Sequence, residues 1–230
     1  NEEGFLGACL ESVRGLADEI VIVDGGSSDK TVEIAKAAGA RVISTTNPPM
    51  FHINKQKALD AAKGDWILHI DADELINSKL RKAIPLLIKS TYCDAYSFAW
   101  PYPEKSGYIN KGPFSKTFKH ALFRKKKLYM VGVSHEYPRT YGNICRNKNF
   151  RIEHKPAYDN FNFHVFWNKW QKWAKIHALQ LNNLKSIPVY NIHDKNSNLQ
   201  FKRLQTTVNH PILSGLSDTA KFILIYFWRG

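Results

Sequence analysis

An apolar run that ends in carboxylates constrains the fold of this chain more than any other stretch. The segment from Gly64 to Glu74 reads GDWILHIDADE, so the apolar residues are bounded first by glycine and then by acids. This pattern predicts a buried central strand whose carboxyl end carries charged side chains. Open α/β sheets bind their ligands at the carboxyl ends of strands, and the segment therefore predicts a site at that edge.

Asp71 and Asp73 are two residues apart in this segment. Since alternate residues of a strand face the same side, both carboxylates are expected on one side of the chain. Carboxylate oxygens suit Mg²⁺ or Mn²⁺, and a cation held by only one or two carboxylates usually takes phosphates as its other ligands. The alternative is a solvated strand end, because two aspartates at this spacing often occur by chance.

Helix and strand patterns alternate before this segment. Helices are predicted over 5–16, 32–38 and 55–62, and strands over 19–24, 41–44 and 66–71. The alternation is typical of βαβ units, and it predicts an α/β fold with a mixed, mostly parallel central sheet flanked by helices. Because the chain opens on a helix, we expect the first strand of the sheet to be missing. A helix over 79–89, capped by Ser78, and strands over 94–100, 121–124, 128–133 and 150–154 are predicted to follow.

Charge and cysteine content limit the setting of the protein. Among 230 residues, 33 are basic and 20 acidic, and the net charge of +13 predicts attraction to nucleic acid, to an anionic membrane surface or to phosphorylated substrates. Three widely spaced cysteines without a CxxC pair suggest a reducing compartment and no zinc site. With no long apolar run and no basic leader, a cytoplasmic location is expected, including the inner face of the membrane.

From His164 onward the character of the chain changes to an aromatic, basic helix. Trp167, Trp170 and Trp173 fall on one helical stripe with lysines alongside. The stripe fits packing over the sheet first, an interfacial membrane helix second and a nucleic-acid surface last. We therefore divide the chain into a catalytic domain, 1–158, and a helical extension, 159–230, on the acceptor or membrane side.

Four motifs occur in a characteristic order: Asn1-Glu2-Glu3, VDGGSSDKT over 23–31, the segment 58–64 leading into DADE over 71–74, and Val133-Ser134-His135-Glu136. With these motifs the chain resembles the inverting glycosyltransferases of family 2, which have the GT-A fold. Within that family it is most similar to bacterial enzymes that add sugars to the lipopolysaccharide inner core. The resemblance covers the first two thirds well and the last third loosely.

The resemblance implies a metal side for the site. Asp73 would coordinate a Mg²⁺ or Mn²⁺ ion that bridges the diphosphate of a nucleotide-sugar donor, and Asp71 would touch the ribose or the metal. His154 resembles a late histidine that reaches back to the metal or diphosphate, although a lone histidine is as often structural. Lys119, Arg124 and Arg151 are candidates for contacting the diphosphate or an anionic acceptor.

The resemblance also implies a nucleotide side. Asp24 would contact the base, commonly uracil, while Asp29 would brace the loop and Glu3 would line the same pocket. Lys55 is a candidate diphosphate contact, but Gln56 stands where the family usually has Asn. A solvated helix lysine is the alternative for Lys55.

An acceptor side completes the implied site. Inverting transfer needs a base that takes the proton of the attacking hydroxyl, and the resemblance places Glu136 in that role with His135 beside it. The alternative is an exposed loop glutamate with a structural histidine.

The sequence thus predicts a metal-dependent, inverting transfer from a UDP-hexose type of donor to a hydroxyl of an anionic glycan or glycolipid. An anionic membrane surface is a further expected partner, and nucleic acid is not. The rivals are a polyprenyl-phosphate sugar transferase of the same fold and a basic binding module that has lost catalysis.

Overall fold

The computed structural model describes residues 1–48, 52–101, 103–104, 107–108, 117–129, 138–155, 162–165, 167–169 and 171. Within these ranges the helices are α1 (Leu6–Val13), α2 (Thr31–Ala37), α3 (His52–Ala61) and α4 (Ser78–Leu87). The strands are β1 (Val21–Asp24), β2 (Arg41–Ser44), β3 (Trp66–Leu68), β4 (Glu74–Ile76), β5 (Ala95–Ala99), β6 (Pro103–Glu104), β7 (Gly107–Tyr108), β8 (Phe118–Arg124), β9 (Leu128–Tyr129), β10 (Arg139–Thr140) and β11 (Ile144–His154).

The largest sheet has five strands in the order β3-β8-β5-β11-β4. Only β5 and β11 run parallel in it, and the other three pairs are antiparallel. Parallel pairing is therefore less frequent than in the predicted mostly parallel sheet, because β8 comes after β5 in the chain but inserts antiparallel between β5 and β3. The mixed α/β architecture is confirmed.

A second, parallel pair joins β1 to β2 from Val21 with Arg41 to Asp24 with Ser44. Among the described residues, neither of these strands pairs with the five-stranded sheet. The expected additional first strand stays a prediction.

Three hydrophobic clusters lie among the described residues, and two of them hold α1, α2 and α4 in place. The larger packs α4 on the five-stranded sheet through residues that are at most 6% exposed: Leu80, Ile84, Phe98, Leu122 and Ile152. The smaller joins α1 to α2 through Leu6, Leu10 and Ala35, and Ala72 packs against it. Burial of apolar area at roughly 25 cal/mol per Å² stabilises both clusters, and the second one fixes the acidic segment 71–74 beside α1.

Helix α4 begins at a different cap from the one that the sequence suggested. The predicted cap, Ser78, is the first helical residue, and the side chain of Asn77 caps the helix by accepting a hydrogen bond of 2.9 Å from the backbone N–H of Leu80. Pro85 lies inside the helix, which ends two residues later at Leu87 rather than at 89 as predicted.

Cys93 and Cys145 form a disulfide with a Cα–Cα distance of 5.8 Å, and Cys9 is a buried free cysteine. The bond joins Cys93, two residues before β5, to Cys145, the second residue of β11. Their separation of 52 residues gives no sign of pairing in the sequence, and the expectation of a reducing compartment does not account for the bond.

No helix in the described ranges has the length and apolar character needed to cross a membrane. Most of the predicted aromatic helix after residue 164 lies outside the described residues.

Candidate active site

The acidic segment after β3 forms a turn. Strand β3 ends at Leu68, three residues earlier than predicted, and the backbone N–H of Glu74 donates a hydrogen bond of 3.0 Å to the carbonyl of Asp71. The Glu74 carboxylate in turn accepts from the backbone N–H of Asp71 at 2.7 Å. Asp71 and Asp73 therefore lie in a turn rather than on one face of a strand, and the two side chains take different partners.

Asp71 is held between two lysines. Its Oδ1 lies 3.1 Å from Lys55 Nζ of α3, and its Oδ2 lies 2.9 Å from Lys119 Nζ of β8. Partial burial alone would raise the pKa of Asp71, but the ammonium groups of Lys119 and Lys55 hold it well below its usual range. Asp71 is thus a permanent anion whose two oxygens are already paired.

Lys119 also forms a buried ion pair with Glu74. The side chain of Lys119 is 1% exposed and that of Glu74 is 0% exposed. Burial lowers the pKa of Lys119, but Asp71 and Glu74 outweigh it and raise the pKa overall, whereas burial raises the pKa of Glu74. Oε2 of Glu74 takes these contacts, and Oε1 accepts no hydrogen bond from any described residue.

Asp73 faces His154. The Nε2 atom of His154 lies 3.1 Å from Oδ2 of Asp73, and the backbone N–H of Lys155 donates to the Asp73 carbonyl at 2.8 Å. His154 ends β11 opposite Glu74 of β4, and the Trp100 ring stacks on its imidazole at 4.8 Å between centroids. The late histidine singled out in the sequence is therefore beside the second aspartate of the motif.

The Asp73–His154 pair is suited to a divalent cation. It offers one carboxylate oxygen and one imidazole nitrogen, both donors that Mg²⁺ or Mn²⁺ accepts. The described residues contain no group of three or more His, Cys, Asp or Glu side chains that could hold a metal ion. Two protein donors fit a cation that takes its remaining ligands from phosphate oxygens and water.

Asp24 closes the loop that follows β1. Its carboxylate accepts hydrogen bonds from the backbone N–H groups of Gly26 at 3.0 Å and of Ser27 at 3.1 Å. Gly26 has φ 95°, a conformation that glycine adopts without strain. Burial raises the pKa of Asp24, but the hydrogen bonds from Ser27 and Gly26 lower it overall, so the 7% exposed side chain remains ionised.

Residues 1–3 are bonded to the same loop. Asp29 accepts from the backbone N–H of Thr31 at 3.0 Å and from that of Glu3 at 3.2 Å. The Glu3 carboxylate returns a contact by accepting from the backbone N–H of Lys30 at 3.0 Å. The predicted bracing of the loop by Asp29 thus has a physical basis in the structure.

Residues 1–5 and α1 connect the loop 24–31 with the turn 71–74. The backbone N–H of Glu2 donates a hydrogen bond of 2.7 Å to Oγ1 of Thr31, and the Cys9 thiol of α1 donates to the Asp71 carbonyl at 3.6 Å. The loop and the turn are therefore both held against this first segment of the chain.

The remaining candidates divide into four groups, and one of them is Arg151, an exposed residue of β11 whose backbone carbonyl accepts a hydrogen bond of 3.3 Å from the Asn77 side chain. Lys55 contacts Asp71, as a residue of the predicted site would. Arg124 instead pairs with Asp94 at 3.5 Å and covers the Trp66 ring at 4.6 Å. His135 and Glu136 lie outside the described residues.

Lys119 is the site residue that sequence reasoning misjudged. It was considered as a surface contact for an anion, whereas it is buried beneath the acidic turn. Strand β8 begins at Phe118, and its alternating burial places Lys119 and Ala121 inward. A strand prediction that started at 121 could not reveal this, although a lysine in phase with buried strand residues is the signal to look for.

The sequence of the chain is similar to those of several known proteins. Over 95 residues, 40% of this chain and 35% of the relative, it is 38% identical to the lipopolysaccharide core biosynthesis glycosyltransferase LpsC of Rhizobium meliloti. The chain spans about a third of the length of the curated relatives that it matches.

Solved structures share the fold at low sequence identity. Staphylococcus aureus TarS in complex with UDP-GlcNAc superimposes with a TM-score of 0.52 and 16% identity, covering 69% of this chain and 56% of TarS. Glucosyl-3-phosphoglycerate synthase from Mycobacterium tuberculosis, in complex with Mn²⁺, UDP and glucosyl-3-phosphoglycerate, gives a TM-score of 0.51 and 15% identity, covering 78% and 75%. These neighbours have the GT-A fold, which confirms the predicted fold class.

The family model for glycosyl transferase family 2 matches residues 1–143, which is more than half of the sequence. The chain therefore belongs to glycosyl transferase family 2.

Proposed function

We propose that this chain transfers a sugar with inversion from a nucleoside diphosphate donor, a UDP-hexose, to a hydroxyl of an anionic glycan or glycolipid in a metal-dependent reaction. The observation that carries the proposal is the pairing of Asp73 with His154 at 3.1 Å, in a turn that α1 connects to the loop 24–31. The complexes of TarS with UDP-GlcNAc and of glucosyl-3-phosphoglycerate synthase with UDP and Mn²⁺ support the choice of donor and cation.

On the metal side, Asp73 and His154 would hold the Mg²⁺ or Mn²⁺ ion. When bound, the cation supplies positive charge against the negative charge that develops on the departing diphosphate. Lys55, whose ammonium group is fixed by Asp71 at 3.1 Å, would add a second positive charge near that leaving group.

On the nucleotide side, Asp24 would select the base by accepting a hydrogen bond from a ring N–H of uracil. A carboxylate has about four lone-pair sites, so contacts to Gly26 and Ser27 leave capacity for a ligand. Asp29 and Glu3 would keep the loop in the conformation that presents Asp24.

On the acceptor side, Glu136 would take the proton of the hydroxyl whose oxygen attacks the anomeric carbon. The new C–O bond forms on the face opposite the diphosphate, which leaves with the electron pair of the bond that breaks. His135 would lie beside the base. Both assignments rest on the sequence motif alone, since the two residues are outside the described ranges.

The net charge of +13 supports a location at the cytoplasmic face of an anionic membrane. Each well-placed Lys or Arg is worth about 1 kcal/mol near such a surface. The Cys93–Cys145 disulfide of the structure is not the state expected in a reducing cytoplasm. Thiol alkylation of freshly lysed cells measures the state of the pair in the cell, and an oxidised pair would contradict the proposed location.

The function is tested by thermal unfolding of the full chain with UDP, GDP and dTDP sugars, each with and without Mn²⁺. We expect stabilisation by one nucleotide class, dependent on Mn²⁺ and lost in Asp73→Asn. The matched control is Asp65→Asn, an exposed aspartate just before β3, which should behave as the wild type. No stabilisation by any nucleotide sugar would refute the proposal.

The activity of Glu136→Ala distinguishes a hydroxyl acceptor from a phosphate acceptor. If Glu136 is the base, the variant loses transfer but keeps Mn²⁺-dependent donor binding. Full transfer in Glu136→Ala, together with none in Asp73→Ala, would favour the polyprenyl-phosphate sugar transferase, because a phosphate acceptor needs no strong base.

A further inference from the structure

Lys119 is the most completely buried positively charged group among the described residues of the site, and the proposed reaction gives it no role. Its side chain is 1% exposed, so its ammonium group cannot serve as a surface contact for a sugar phosphate or an acceptor. It has three N–H donors, and Asp71 and Glu74 use two of them. Lys119 therefore acts through its neighbours.

These contacts fasten the first half of the acidic turn. Lys119 connects the side chain of Asp71 to that of Glu74, and Glu74 accepts from the backbone N–H of Asp71 at 2.7 Å. Lys55 covers the other oxygen of Asp71 at 3.1 Å. Each oxygen of Asp71 thus contacts an ammonium group, whereas the Asp73 carboxylate contacts the imidazole of His154.

Lys119 also approaches the other half of the site. Its Nζ lies 5.9 Å from the centroid of the Trp100 ring, and the same ring stacks on His154. The buried Lys119 thus contacts Glu74, which binds the backbone of Asp71, and it also lies over Trp100, which stacks on His154.

We propose that Lys119 is a positioning residue that keeps Asp71 out of the ligand set of the metal, so that Asp73 of the turn and His154 of β11 are the protein ligands that the described residues supply. The inference rests on the proposed function and deepens it. Family resemblance leaves Asp71 to contact either the ribose or the metal, and the two lysines decide for a role other than metal ligation.

A site with two protein ligands binds a free divalent cation weakly. The diphosphate oxygens then complete the coordination, so the cation and the nucleotide each increase the affinity for the other by the same factor. Lys119 sets this dependence because it withholds a third protein ligand, the carboxylate of Asp71.

The test is Mn²⁺ binding to the full chain, measured by the loss of the free Mn²⁺ signal in electron paramagnetic resonance, with and without UDP. Lys119→Met should release Asp71 and tighten binding of Mn²⁺ alone by about tenfold, a size typical of changes around metal ligands. Lys126→Met, an exposed lysine after β8, is the matched control and should leave the affinity unchanged.

A double variant tests whether the effect of Lys119→Met comes from the release of Asp71 or from the unpaired charge left on Glu74. It is also less prone to misfold, because no buried charge is left without a partner. Lys119→Met with Glu74→Gln removes one positive and one negative charge and keeps a side-chain oxygen for the backbone of Asp71. We expect the double variant also to tighten Mn²⁺ binding, while kcat falls together with the KM for Mn²⁺. Simple structural damage would instead raise that KM.

Asp71→Asn provides a variant that does not depend on Lys119. With UDP present it should weaken Mn²⁺ binding far less than Asp73→Asn does. Equal losses in the two variants, or unchanged Mn²⁺ affinity in the double variant, would overturn the role of Lys119. If the wild-type chain binds no Mn²⁺ even with UDP, the proposed function fails instead, so the two failures are distinguishable.

Discussion

The proposed nucleotide side of the site, the loop 24–31 with residues 1–3, and its proposed metal side, the turn 71–74 with its partners, are built with different interactions. On the nucleotide side, backbone N–H groups of residues 26–31 and Glu3 bind the carboxylates of Asp24 and Asp29. On the metal side, charged side chains bind one another, and Lys119 with Glu74 is almost fully buried. One side is held by the main chain and the other by buried charges.

This difference predicts different sensitivities. A hydrogen bond to a charged group contributes about 1.5–3 kcal/mol, and its loss leaves backbone groups that water can still reach in a surface loop. Removing one partner of a buried ion pair leaves an uncompensated charge and costs about 3–5 kcal/mol. The metal side should therefore tolerate single substitutions less well than the nucleotide side.

The largest expected effect is that of Lys119→Met. It should lower the free energy of unfolding by about 3–5 kcal/mol, because Glu74 and Asp71 lose their shared ammonium group. Urea unfolding followed by circular dichroism measures the change. Lys126→Met should shift it by less than about 0.5 kcal/mol, and equal effects of both variants would contradict a buried pair.

Asp73→Asn should lower kcat by about 10²–10³-fold, the size seen when one group that stabilises transition-state charge is lost. Its stability should change little, because its carboxylate is partly exposed and contacts His154 rather than a buried cation. Initial rates of UDP release with saturating Mn²⁺ give the first quantity and urea unfolding the second. If Asp73→Asn lost stability but kept its activity when folded, Asp73 would have a structural role and not a catalytic one.

Asp24→Ala should cost about 1–3 kcal/mol of unfolding free energy, because two backbone N–H groups lose their acceptor. Asp24→Asn should cost less, since its amide oxygen still accepts. Nucleotide binding in both variants, measured by calorimetry with UDP, should weaken even without Mn²⁺. Unchanged affinity for UDP in both variants would show that Asp24 does not contribute to nucleotide binding.

The pH dependence of the free energy of unfolding tests whether the Asp24 carboxylate stabilises the folded protein. Its pKa is lowered in the folded protein, so its contribution to stability is complete above the unfolded value of about 3.9 and is lost as the pH falls through the folded value. Wild-type stability should therefore fall below about pH 4, and the fall should be shallower in Asp24→Asn. Parallel profiles would show that the carboxylate gains nothing from folding.

The smallest expected effect on stability is that of Lys55→Met. The side chains of Lys55 and Asp71 are 23% and 37% exposed, and ion pairs of this kind contribute less than about 1 kcal/mol. If Lys55 contacts the diphosphate, the KM for the donor should nevertheless rise. A loss of stability as large as that of Lys119→Met would show that the two lysines are equivalent.

The first part of the fold could be predicted from local patterns. The predicted strand 41–44 coincides with β2, and the predicted helices near 5–16, 32–38 and 55–62 match α1, α2 and α3 with shifted ends. Periodicity and glycine stops determine these elements because each has one face that packs on the sheet.

The later strands were harder to predict because their burial depends on pairing. Strand β11 extends from Ile144, not from residue 150, and its outward side carries Arg146 and Lys148. Charged residues at alternate positions read as a loop until the neighbouring strands β5 and β4 are known.

The same limit applies to the site. Asp24, Asp71 and Asp73 were found because they occupy short motifs at strand ends, and His154 because it ends a strand that could be anticipated. Lys119 and the Cys93–Cys145 bond depend on which residues face each other across the sheet, and one sequence does not encode that in a local pattern.

One calorimetric comparison tests the two-sided account most directly: UDP titrated into the wild type, Asp73→Asn and Asp24→Asn, with and without Mn²⁺. The account predicts that Mn²⁺ strengthens UDP binding in the wild type, that Asp73→Asn keeps only the metal-free affinity, and that Asp24→Asn loses affinity under both conditions. Identical Mn²⁺ enhancement in the wild type and in Asp73→Asn would contradict it.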